Sequence, residues 1–198
     1  MHPGRCISES LDGEQVSQFE YVSVALALLY SFAVARLLTA LPSVAATGHR
    51  YWIHTAWVTV VLLATVTTWW TVWSLRGVDW TAWRFIWVLS VPALIHLRAG
   101  ILVSDVPVGV ESWKDHYYEK RTAFFAVGVV QGLNTVLIPW VMGVVPWFSR
   151  APAHMAGAPL LLISLVGLST RHPGVHGVLV TANLVMLLAF LGFAGPAA

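Results

Sequence analysis

Charge is what this chain has least of. Its 198 residues include 11 Lys and Arg and 9 Asp and Glu, 10% in all, where soluble domains carry about 25%. With 58% hydrophobic residues it has too little polar surface to cover itself, and lipid is the solvent this implies. Lysine is nearly missing. Lys114 and Lys120 both sit in a polar connector and none falls in an apolar run, which excludes a retinal-type Schiff base. Cys6 is the single cysteine, so there is no disulfide framework and no thiolate metal site. A net charge of +2, with no basic cluster beyond Lys120–Arg121, excludes nucleic acid as a partner. The chain has no Gly-rich phosphate loop, no GxSxG elbow and no HExxH pair, so no motif names a reaction or a catalytic residue.

What is present is a succession of apolar runs, which predicts an all-α, polytopic membrane bundle of about six helices. Residues 1–18 read as a polar tail and 19–195 as a single transmembrane domain. The first twenty residues are acidic, with Glu9, Asp12, Glu14 and Glu20 against Arg5. A signal peptide starts positive, so the first run is expected to remain as a helix. Ser17-Gln-Phe-Glu20 has the pattern of a capping box. Roughly 20 apolar residues cross a bilayer core, and the first span is expected over Phe19–Leu41, stopped by Pro42. The second is expected over Tyr51–Ser74, ending in a tryptophan belt at Trp69, Trp70 and Trp73. The third is expected over Trp80–Val103, capped by Asp79 and kinked at Pro92. A connector at about 105–121, partly helical and interfacial, leads into a fourth helix from Trp113 to Val145. That helix is capped weakly by Ser112-Trp-Lys-Asp115 and carries Gln131 and Asn134 at mid-membrane, where they bond to neighbouring helices. A short fifth span is expected over Ala156–Thr170 and a sixth over Val175–Phe193.

Six spans place Arg50, Lys114, Lys120, Arg121 and Arg171 on one face, against Arg5, Arg76, Arg84 and Arg150 on the other. By the positive-inside rule the first of these faces is cytoplasmic. The same topology brings the interior ionisable groups to that one side. Arg36, His54, His96 and Arg98 approach it from spans one to three, and Asp115, His116, Tyr117 and Glu119 lie at it. Charges in hydrocarbon are costly and seek partners. Glu111, Asp115 and Glu119 are spaced four apart, so the expected pairing is Arg36 or Arg98 with Asp115 or Glu119, framed by His54, His96, His116 and Tyr117. Both arginines also have the simpler option of snorkelling to headgroups. Pro173 and Gly174 are expected to prevent His172 and His176 from acting as an i, i+4 pair.

The segments Phe19–Val24, Arg50–His54, Trp69–Trp70 and His116–Phe125 (HYYEKRTAFF) resemble an uncharacterised family of small bacterial multi-pass inner-membrane proteins, over about Phe19–Gly143. The resemblance implies a bacterial inner-membrane setting and brings no activity, so no residue roles come with it. Two functions lead this reading, ahead of a membrane enzyme acting on lipid through a His–carboxylate pair open to the interface. In one, the Arg/His/carboxylate layer binds or passes a small anion, proton or polar ligand. In the other, the chain is a non-catalytic accessory subunit of a larger membrane complex. Its Trp-rich surface would then pack on partner helices, and His54 or His96 would be candidates to hold a haem or chlorophyll-type pigment. Either suits a homo-oligomer or a larger assembly in the bilayer.

Overall fold

The computed structural model describes residues 17–46, 50–103, 111–143 and 152–193. Six helices follow one another: α1 Gln18–Ala45, α2 Trp52–Thr71, α3 Ala82–Leu102, α4 Trp113–Val141, α5 Pro152–Ser169 and α6 Pro173–Phe193. Among the described residues there is no strand. Five helices are long and apolar enough to cross a membrane, and α5 is shorter. The chain is a multi-pass integral membrane protein.

The ends of the helices follow local chemistry. Both halves of the Ser17 capping box form: Ser17 N donates to Glu20 Oε2 at 2.6 Å and Glu20 N to Ser17 Oγ at 3.2 Å. Pro42 does not stop α1, which runs on to Ala45. A proline removes only the one bond its own nitrogen would donate, and the helix ends within a turn in any case. Asp79 does not cap α3. Thr81 does, its hydroxyl accepting from Arg84 N at 3.3 Å, while the Asp79 carbonyl accepts from Arg84 Nη1 at 2.6 Å. Ser112 caps α4 through Asp115 N as expected, but α4 ends at Val141 rather than Val145. Gly143, at φ 68°, supplies the left-handed residue that ends helices readily. The expected start of the connector, from Asp105, and most of the polar tail lie outside the described residues.

A Thr-rich helix such as α2 holds in lipid because its hydroxyls are satisfied within the helix. Thr59, Thr65 and Thr68 each donate to the carbonyl four residues back. In α1 the inward stripe is Val22, Leu26, Tyr30, Ala33, Leu37, Ala40 and Val44, a three-four alternation that keeps one face on a neighbouring helix. Tyr21, Leu28, Phe32 and Leu38 point outward and are as apolar as the core, the signature of a lipid-facing surface.

α3 packs between α1 and α4, and the most intimate pair is α4 with α5. Glycines set that seam. A β-carbon on Gly132 would lie 2.8 Å from the Leu161 backbone, and one on Gly157 2.9 Å from Val136 N. One on Gly128 would meet Ser164 Oγ, and one on Gly167 the Phe125 ring. These four contacts step in opposite directions along the two helices. α5 therefore runs antiparallel to α4 and covers the same depth as residues 125–136 of its partner. Small residues at such spacing let backbones approach closely in lipid.

Candidate functional site

The C-terminal ends of α1, α3 and α5 and the N-terminal ends of α2, α4 and α6 lie at one end of the bundle, and buried polar groups collect there. The first focus is the carbonyl of Leu102, among the last four of α3, which have no acceptor role inside their own helix. His54 Nε2 reaches it from α2 at 2.9 Å and His116 Nε2 from α4 at 3.1 Å. A carbonyl only accepts, so both imidazoles carry their proton on Nε2. His54 is fully buried and stacks on Trp113 at 4.5 Å. Its Nδ1 has no hydrogen-bond partner among the described residues. Trp113 Nε1 in turn donates to Ser43 O of α1 at 3.2 Å. Four helices meet at this point.

The second focus is the turn between α5 and α6. His176 Nε2 donates to Thr170 O at 3.0 Å, which leaves Nδ1 as the acceptor for the Tyr117 hydroxyl at 2.8 Å. Arg121 Nη1 donates to Gly167 O at 2.8 Å, to Leu168 O at 3.2 Å and to Thr170 O. Arg121 is thus a C-terminal cap for α5, placed where the helix dipole favours a cation. Neither His176 nor Arg121 was an expected site residue. Pro173 does not break a helix here. It occupies the first position of α6, where proline fits, and this puts His176 inside the bundle while His172 stays exposed. At the rim, burial first and then the Tyr118 hydroxyl, 3.2 Å away, hold the Tyr51 phenol above its usual pKa.

Arg98 lies deeper. Side chains on α3 lean toward its N-terminus, away from the nearer membrane face, and Arg98 is only 3% exposed. Nη1 donates to Gln131 Oε1 at 3.0 Å, and the guanidinium lies 4.4 Å over the Phe124 ring. Among the described residues its Nε and Nη2 have no partner, nor does the nearby Ser164 hydroxyl across Gly128. Asn134 bonds Ser90 Oγ, so both mid-membrane amides bridge to α3 as expected.

The expected Arg–carboxylate pairing does not form. Glu111, Asp115 and Glu119 point outward. Glu119 takes Lys120 Nζ at 2.8 Å in a surface pair, a kind worth about 0–1 kcal/mol. The acidic stripe faces away because the opposite side of α4 is occupied by Trp113, His116 and Tyr117. Arg36 is exposed on α1, its guanidinium lying against Gly100 of α3, with no ion-pair partner among the described residues. His96 is partly buried near it. The eight expected residues therefore divide among a buried network (His54, His116, Tyr117), an inner cation (Arg98), a lipid-facing pair (Arg36, His96) and an exposed stripe (Asp115, Glu119).

No family model, no curated protein and no solved structure matches this chain. Its chemistry has to be drawn from its own geometry. Among the described residues no three His, Cys, Asp or Glu side chains cluster as a metal site requires. What the arrangement offers is hydrogen-bond donors in a low-dielectric seam, above all the guanidinium of Arg98.

Proposed function

We propose that this integral membrane protein binds a small anion or a ligand rich in hydrogen-bond acceptors at Arg98, between α3, α4 and α5. One observation carries the reading: a buried guanidinium in a membrane-spanning helix has a neutral amide and an aromatic face for company and, among the described residues, no carboxylate. A charged side chain inside a membrane span is costly and usually finds a partner. The two unpartnered nitrogens and the Ser164 hydroxyl are the groups that would hold the ligand. The Tyr117–His176 and His54–Leu102–His116 networks fix the helices around it.

The test is titration of the purified protein with chloride, nitrate and formate, following thermal unfolding. Binding to the folded state raises Tm, and these anions are expected to stabilise the wild type and not Arg98→Met. Without anions Arg98→Met should be as stable as the wild type or more so, because replacing a buried charge with an apolar group of similar volume is often neutral or stabilising. If the variant responds to anions as the wild type does, the reading is wrong.

The resemblance carried by Phe19–Val24 and His116–Phe125 supports, as part of the same proposal, membership of the small bacterial multi-pass family and a place in the inner membrane. The accessory-subunit reading has less support. The outward Trp69, Trp70, Trp73, Trp83 and Trp140 stand at the far end of the bundle, where headgroups accommodate tryptophan without a partner protein.

A further inference from the structure

We infer that a groove on the outer face of α3 binds the phosphate of an anionic phospholipid, independently of the Arg98 site. The groove, about 350 Å³, is lined by Arg36 of α1, by His96, Leu97 and Gly100 of α3, and by Lys120 and Ala123 of α4. These α3 residues lie on the other side of that helix from the buried Val91, Ile95, Arg98 and Leu102, so the groove opens to lipid.

Three observations fix the occupant. The first is depth. α1 has 28 residues, about 42 Å against a hydrocarbon core of about 30 Å. Arg36 lies nine residues before Ala45, about 13 Å from the helix end. For an upright helix with its excess shared equally, the Arg36 Cα is then about 7 Å inside the hydrocarbon, within reach of the headgroup level by snorkelling. The second is charge. Among the described residues Arg36 has no ion-pair partner, while Lys120 is paired with Glu119 at the rim, so Arg36 is the cation that meets a phosphodiester. A zwitterionic headgroup would bring its own cation against Arg36. The third is shape. The Arg36 guanidinium is seated over Gly100, where an added β-carbon would lie 3.2 Å from Cζ and 3.3 Å from Nη1. The absence of a side chain there lets the planar donor fork lie flat at the groove mouth. The half-exposed Leu97 leads on toward the bilayer centre as an acyl chain would. Basic pockets between transmembrane helices are a recurrent headgroup site.

Native mass spectrometry tests this on the full chain, purified from mixed micelles containing phosphatidylglycerol and phosphatidylcholine. One phosphatidylglycerol should be retained in preference to phosphatidylcholine. Retention should fall about tenfold in Arg36→Gln, as the loss of one charge-assisted hydrogen bond gives. It should also fall in Gly100→Leu, which keeps the charge but unseats the guanidinium, while Arg98→Met retains the lipid normally. Equal retention of the two lipids, or full retention in both groove variants, would overturn the assignment. Displacement of the lipid by millimolar inorganic phosphate would reassign the groove to a free anion.

Discussion

Gly132→Ala is the most direct probe of how α4 and α5 are held. The added methyl would sit 2.8 Å from Leu161 Cα and N and 2.9 Å from its Cβ. Two of these three atoms are backbone, so no rotamer change relieves the clash, and ordinary contact begins near 3.4 Å. α5 has to move out by about 0.6 Å, loosening the Gly128–Ser164 and Gly157–Val136 contacts on either side. Overpacking of this kind costs about 1–3 kcal/mol. Reversible unfolding in mixed micelles of increasing denaturing-detergent fraction gives the free energy. Gly157→Ala, with its methyl 2.9 Å from Val136 N and Cγ2, should cost about the same. The double variant should cost less than the two together, since the first displacement already makes room for the second. Gly192→Ala, with open space around it, is the control and should be neutral or slightly stabilising. If Gly132→Ala unfolds within about 0.5 kcal/mol of the wild type, which is the size of an ordinary surface change, the backbones are not in contact and the seam is wrong.

Arg121→Gln should leave carbonyls at the C-terminus of α5 without their donor and cost about 1–3 kcal/mol, seen as faster amide exchange and proteolysis at the turn before α6. Tyr117→Phe removes the donor to His176 Nδ1 and should cost about 1 kcal/mol. His176→Ala made on top of it should cost less than it does alone, because the two share one bond. Raised above its ordinary value, the Tyr51 phenol should still be neutral at the pH where exposed tyrosines ionise, about 10. Tyr51→Phe should therefore leave the absorbance change of a pH titration through that range unaltered, and a loss of signal there would contradict its bond to Tyr118.

The number of helices and the caps at Ser17 and Ser112 were legible in the residues. So were the inward bonds of Gln131 and Asn134, because an amide at mid-membrane has to find an acceptor or a donor on another helix. The pairings were not legible, and the reason is specific to lipid. In α1 the outward Leu28, Phe32 and Leu38 are as apolar as the inward Leu26, Ala33 and Leu37, so periodicity does not say which way a helix is rotated. Without that rotation, Arg98 is as free to meet Glu119 as Gln131. Two signals could have been used. Gly128 and Gly132 form a small-xxx-small pattern that marks the side of α4 facing a close neighbour. Pro173 reads as a first helical residue as readily as a breaker, and that reading would have turned His176 inward.

The Leu102 carbonyl is a joint that mutation can attack from one direction only. Two histidines on different helices are fastened to a main-chain oxygen, and every residue type offers the same oxygen at position 102. Sequence drift at that position can change the packing around the joint but not the acceptor, as long as α3 keeps its last turn. Variation can dismantle it solely through the donors, His54 and His116, each of which leaves the other in place when lost. The fastening of α2 and α4 to the end of α3 therefore degrades in two separable steps.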